Sequence, residues 1–527
     1  MSVCYDVVVV GGGTAGAIIA ARLSEDPQRS VLLLEAGPDY AGLEQLPPKI
    51  RDGYTTAADI TPSDHDWRFT GRATPLAGPM LVPRGRLTGG SSAVNGQIFL
   101  RGIPEDFDAW AAAGNPRWGF EHVLPAFCRL ERDLDFRTAY HGVRGPIPVR
   151  RFAREAWLAP QLAFHAACLD AGFADCPDLN APDASGVGPI PLNNLDGVRW
   201  GTNLGYLDPA RHRLNLTVRP HCTAVGLVFE GQRATGVQVE SGGERFVVRG
   251  GEIVLSAGAV GSPHLLLLSG IGPAAELEAL GLPVRADLPG VGRNLRDHPH
   301  LYATWRPAFG YPMLPQLPRY QTCLRYASAL PAGGGPAGAG AGQRNDMQIL
   351  MVSYATERVD RGGDGLRPLG ITLLPVLNLA AGQGTLRLAA ADAAVQPDLD
   401  FDLLATAEDR ARLREALRLC VRLAGHAAFA DLLGPRLAPA PDALDDDRAL
   451  DAWMLREVIH TNHASGTCKM GPGSDPLAVV DDVGAVHGLR GLRVADASIM
   501  PNCVRANTNA TTMMIGERMA ELWREEA

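Results

Sequence analysis

Asp6-Val7-Val8-Val9-Val10-Gly11-Gly12-Gly13-Thr14-Ala15-Gly16-Ala17-Ile18-Ile19-Ala20-Ala21-Arg22-Leu23 is a strand, a glycine turn and a helix in one continuous run. The β-branched segment 6–10 suits a pleated, buried surface. Gly11 permits the tight turn, Gly13 lets backbone approach a pyrophosphate, and Gly16 allows close packing of helix on strand. The helix N-terminus then presents unpaired N–H groups and the positive end of its dipole to phosphate. A second strand at 31–35 completes a βαβ unit and ends on Glu35, 19 residues after Gly16, where a ribose-binding acid is expected. An acid at that position disfavours a 2′-phosphate. This signature implies dinucleotide binding but does not by itself separate NAD from FAD.

Working outward, 527 residues exceed one ordinary hydrophobic core and imply two or more substructures. The chain carries 49 Lys plus Arg against 58 Asp plus Glu, a formal charge of −9. That balance favours solubility and, without basic runs, argues against nucleic acid as a partner. No stretch of about 18 apolar residues predicts a transmembrane helix, and residues 1–10 do not read as a signal peptide. The nine cysteines are scattered without a CxxC pair, so reduced cytoplasmic thiols and no metal site are expected.

Residues 40–150 read as irregular chain wrapped around a ligand. Strands are expected at 215–228, 234–239, 246–255, 346–354, 370–376 and 385–388, and a helix at 407–424. The segment 331–342, PAGGGPAGAGAG, reads as a mobile loop with too little burial to repay ordering.

Five further segments carry a family resemblance. Arg86-Leu87-Thr88-Gly89-Gly90-Ser91-Ser92-Ala93-Val94-Asn95-Gly96 resembles the first signature of the glucose–methanol–choline (GMC) flavoprotein oxidoreductases. Gly258-Ala259-Val260-Gly261-Ser262-Pro263-His264 and the leucines after it resemble the second. His463-Ala464-Ser465-Gly466-Thr467-Cys468 follows, then Gly491–Pro501 and Asn507-Thr508-Asn509-Ala510. With the glycine turn these motifs stand in family order along essentially the whole chain. The similarity is strongest to hydroxymethylfurfural oxidase and choline dehydrogenase-like members.

The resemblance implies FAD and an α/β fold. A Rossmann-like FAD-binding domain would comprise 1–150, 215–300 and 455–527. A substrate domain of antiparallel sheet backed by helices would comprise 151–214 and 301–454. Cofactor contacts are expected from Gly11, Gly13, Thr14, Ala15, Gly16, Glu35 and Ala36 at the first turn. Arg86, Gly89, Gly90, Ser91, Asn95 and Gly96 would contribute from the second motif. Val225, Ala257, Gly258, Asp496, Ala497, Asn507 and Thr508 complete the expected set. The residues make chemical sense of this: small side chains admit a flat ring, and Asp496 can accept from sugar or ribityl hydroxyls. Relatives that tether FAD covalently use a histidine where this chain has Val94, so non-covalent FAD is expected. Thr88 replaces a usual aliphatic residue.

By the same resemblance His463 is the catalytic base, and Asn507, 44 residues later, the second active-site residue. An imidazole near pKa ~6.5 suits removal of a hydroxyl proton at neutral pH. An amide cannot act as base, but it can hold a hydroxyl. His460 lacks the spacing to Gly466-Thr467-Cys468 and reads as structural. Asn507 also suits the N-cap of a last helix at 510–523. The implied activity is hydride transfer from a small primary alcohol, first of all an aromatic or furanic one. O2 or a quinone or other electron carrier would be the acceptor. An acceptor-linked choline-type dehydrogenase and a non-redox lyase are the alternatives. Asn462 stands where relatives often carry an aromatic residue.

Overall fold

The structure, a computed structural model, describes residues 4–53, 63–314, 316–329, 344–357 and 368–526. The glycine-rich segment 331–342 lies outside them.

The strand Cys4–Val10 lies between two parallel neighbours, Val31–Leu34 and Glu244–Leu255. Its last four valines are buried, as expected where helices cover both faces of a parallel sheet. The sheet runs Leu216–Arg219, Val31–Leu34, Cys4–Val10, Glu244–Leu255, Arg233–Ser241, Thr223–Glu230, and Leu492–Val494 pairs with the inner end of Glu244–Leu255. The helix Thr14–Leu23 packs against this sheet and against the C-terminal helix Thr508–Glu525. Thus the first and last helices of the chain share one layer.

A second, antiparallel sheet runs Leu433–Ala438, Ala303–Pro307, Pro368–Leu377, Met347–Thr356, Tyr320–Tyr326, Gly186–Pro189. Helices Ala159–Asp170 and Ala407–Ala424 pack on it, so the antiparallel sheet is backed by helices. One short pairing matters most for chemistry. Pro299–His300 lies antiparallel to Ile459–His460, with Pro299 opposite His460, and Arg296 bridges Ser465 further along. This ladder sets residues 296–300 beside 459–465.

Two local expectations are corrected. Residues 40–150 are not irregular throughout, because they contain helices Pro104–Ala112 and Phe120–Leu130. The second buries Val123, Ala126, Phe127 and Leu130 along one stripe, the spacing of a helix face. Residues 215–228 are not one strand but two, Leu216–Arg219 and Thr223–Glu230. Pro220 offers no N–H to a ladder and His221 has φ 54°, so the chain turns there.

Candidate active site

A cavity of about 1170 Å³ runs through the molecule between these sheets. Its volume exceeds the ~300–1,000 Å³ of ordinary ligand pockets, leaving room for a dinucleotide and a substrate. Three helix N-termini open on its wall, at Gly13-Thr14-Ala15, at Ala257-Gly258-Ala259 and at Asn507-Thr508-Asn509. Each offers unpaired N–H groups and a positive dipole end.

The glycine turn and the second motif interlock. Gly89 N–H donates to Gly12 O at 2.7 Å, and a Cβ on Gly90 would stand 2.6 Å from the Cα of Gly13. Any side chain there would push the two loops apart and spoil the cradle. Glu35 is buried at the strand end and accepts from Gly12 N–H through Oε2 and Gly37 N–H through Oε1, both at 2.8 Å. Burial pushes its carboxyl up to about 7, against these bonds and Arg86. Asp496, also buried, accepts from Gly258 N–H at 2.8 Å and Ser262 Oγ at 2.6 Å. It ties the last strand to a helix start on the cavity wall, and burial raises its carboxyl.

Gly11, Gly13, Thr14, Ala15, Glu35, Ala36, Gly90, Ser91, Asn95, Gly96, Ala257, Gly258, Asp496, Ala497, His463, Asn507 and Thr508 all line this cavity. Four expected residues stand behind the wall. Gly16 sits where a Cβ would fall 2.0 Å from Gly11 O. Gly89 holds the loop contact above, and the Arg86 guanidinium lies 5.2 Å over the Trp67 ring. Val225 follows Cys222, Thr223 and Ala224, which do line the cavity. Val94 lines it too, presenting only hydrocarbon.

At the other end His463 is half-buried, with one edge on the cavity. Its Nε2 is 3.1 Å from Asn507 Nδ2, and its Nδ1 is 2.8 Å from His298 Nδ1. The residue before it, Asn462, has φ 64°, a left-handed conformation that asparagine tolerates better than bulky residues. Its carbonyl accepts from Arg84 Nη1 at 3.1 Å. Burial, followed by the neighbouring His298, Arg84, His300 and His460, holds His463 well below the usual histidine range. It is therefore neutral and able to accept a proton. Burial likewise lifts Asp297 to about 6 despite Arg84.

His460 is occupied structurally. Its Nε2 meets Leu81 O at 3.0 Å, its Nδ1 accepts from Asn462 N–H at 2.9 Å, and its ring stacks on Phe401. Sequence reasoning missed His298, Arg84 and His300. The run Asp297-His298-Pro299-His300 carries no spacing signal that links it to residue 463.

Outside the cavity Glu131, Asp133 and His141 converge with metal-ligand geometry. Arg101 and Arg151 pair with the two acids, and His141 Nε2 meets Asp178 at 2.8 Å. The cluster neutralises itself with its own cations and leaves a metal no charge to balance.

The fold and cavity define a dinucleotide-binding enzyme, and the comparisons give its family. Two family models described as GMC oxidoreductase match residues 5–300 and 380–516. The chain belongs to the GMC oxidoreductase family and is an FAD-dependent enzyme. It is 37% identical over 543 residues to 5-(hydroxymethyl)furfural oxidase of Methylovorus sp., covering 98% of each chain. It is 34% identical over 532 residues to an oxygen-dependent choline dehydrogenase of Sinorhizobium fredii, covering 98% of this chain and 95% of that one. Among solved structures, pyridoxine 4-oxidase from Mesorbium loti aligns with a TM-score of 0.88 at 30% identity, covering 99% of both chains. Among the described residues no helix is long and apolar enough to cross a membrane.

Proposed function

We propose that this enzyme oxidises a small primary alcohol to its aldehyde, with His463 as base and Asn507 as the residue that holds the hydroxyl. The observation that carries this reading is the pair itself. A neutral imidazole Nε2 and an amide Nδ2 stand 3.1 Å apart on the wall of the cavity that the glycine turn also lines. An alcohol oxygen that takes over the amide N–H frees the Nε2 lone pair to receive the hydroxyl proton, and the two contacts orient the carbinol carbon. FAD, when bound, supplies the two-electron hydride acceptor. The three helix N-termini, Glu35 and Asp496 are the groups that would hold it. Val94 supports non-covalent attachment, since it has no nucleophile. All nine cysteines stand free, which supports a reducing, cytoplasmic setting. We assign the FAD-binding part to 1–150, 215–300 and 455–527, and the substrate-binding part to the rest.

The aromatic faces on the cavity wall and the cation beside His463 support a flat, uncharged alcohol. Trp67 and Phe69 stack at 5.7 Å with 3° between their planes, and both line the cavity with Tyr302 and Tyr320. Arg84 lies close enough to His463 to depress its pKa, so a quaternary ammonium there would meet repulsion. The test is anaerobic mixing with benzylic, furanic and choline-type alcohols while flavin absorbance is followed. Bleaching by aromatic or furanic alcohols ahead of choline supports the proposal, and no bleaching by any alcohol overturns it. Admission of air then shows whether O2 reoxidises the flavin and forms peroxide, or whether a quinone-type carrier is needed.

A further inference from the structure

We propose that His298 is a positioning residue that holds the proton of His463 on Nδ1 and so leaves Nε2 as the basic nitrogen. The inference rests on the assignment of His463 as base. The two Nδ1 atoms stand 2.8 Å apart, with ring centroids at 4.9 Å and planes at 76°. At that separation one nitrogen donates and the other accepts, because two lone pairs or two N–H groups repel. A single proton lies between them.

Which ring owns it follows from the outer edges. His298 is fully buried, and burial lowers it to about 4, so it is neutral and carries one N–H. Asn507 turns its amide nitrogen, a donor only, to His463 Nε2 at 3.1 Å, so that Nε2 accepts and the proton of His463 is on Nδ1. The single N–H of His298 is then on its Nε2. His298 Nδ1 is then an acceptor, and His463 Nδ1–H donates to it. His463 Nε2 keeps its lone pair and accepts from the Asn507 amide. The reverse arrangement requires the Asn507 amide to turn over.

His298 cannot drift from this role. Its N–H donates to Asp297 Oδ1 at 2.8 Å and its carbonyl accepts from Thr461 N–H at 3.1 Å, within the ladder that pairs Pro299 with His460. When an alcohol proton reaches Nε2, His463 becomes an imidazolium among Arg84, His300 and His460. Its Nδ1–H is then a charge-assisted donor to His298, which offsets part of that repulsion. His298 itself neither gains nor loses a proton.

The test compares His298→Leu with His298→Asn. Asparagine places Oδ1 near the position of Nδ1 and keeps an acceptor, whereas leucine fills the space without one. We expect His298→Leu to bind FAD and alcohol normally but to reduce flavin at least ~10-fold more slowly, as for a misoriented base. His298→Asn should recover most of that loss. Equal rates for the two variants overturn the proposal. Should the leucine variant fail to fold, ¹⁵N spectra of histidine-labelled wild-type holoenzyme decide it, with His463 assigned by its loss in His463→Gln. A pyrrole-type Nδ1 and pyridine-type Nε2 are expected. A proton on Nε2 of His463 refutes the tautomer alone, whereas full activity in His463→Ala refutes the base assignment.

Discussion

Asn507 occupies the N-cap position of the last helix, yet its side chain makes no cap bond and its Nδ2 sits 3.1 Å from Nε2 of His463. The two roles available to this asparagine are therefore separated by the fold. The helix starts without the amide, and the amide serves the cavity.

It follows that Asn507→Ala should barely alter stability, by less than the ~1 kcal/mol of a lost N-cap bond. It should nevertheless slow flavin reduction by ~10-fold or more, because the substrate oxygen loses an orienting donor. Thermal melts of the holoenzyme and anaerobic stopped flow check the two halves. A large drop in melting temperature with normal chemistry would contradict the geometry.

Removing the proposed base should be far more damaging than removing its neighbour. His463→Ala is expected to cut the reductive rate ~10²–10⁴-fold, the span for a general base. His460→Gln, which loses the stack on Phe401, should show mainly in stability. Comparable rate losses in both variants would mean that His463 has no special role.

Val94 lines the cavity with a side chain that cannot form a bond to FAD. Acid denaturation should thus release all the yellow colour into the supernatant. Absorbance of pellet and supernatant at flavin wavelengths decides the matter, and colour held in the pellet would point to a tether elsewhere.

The His141 cluster predicts a pH dependence of stability. Burial alone would push this imidazole down, but hydrogen bonds to Asp133, Asp178 and Glu131 outweigh it and hold the group at about 11. A folded pKa above the unfolded ~6.5 means that the proton binds the native state more tightly. The stabilisation is complete below ~6.5 and is lost as pH rises through about 11. His141→Gln strands buried carboxylates and should cost about 3–5 kcal/mol near pH 6. The gap in melting temperature between wild type and variant should narrow from pH 6 to pH 9.5, and a constant gap would exclude a charged imidazole.

Much of the fold was legible because its signals are local. The valine run, the glycine spacing and Glu35 lie within thirty-odd residues, and steric limits on turns make such patterns nearly unambiguous. The helix 407–424 was readable from its helical spacing, and the structure adds Thr406 as an N-cap that accepts from Asp409 N–H. The stripe at 123, 126, 127 and 130 carried a helix signal too, although Pro125 inside it obscures the pattern. The break at Pro220-His221 was equally visible in principle, since proline interrupts a ladder.

Sequence alone, through the family resemblance, pointed to FAD and singled out His463 and Asn507 as candidates, because those depend on residue type at short spacing within motifs. Tertiary structure alone decided what surrounds that imidazole. His298 lies 165 positions away and meets it only through the ladder that sets Pro299 opposite His460. Proton placement, charge and solvation depend on distances of a few ångströms between remote segments, and no local pattern encodes them.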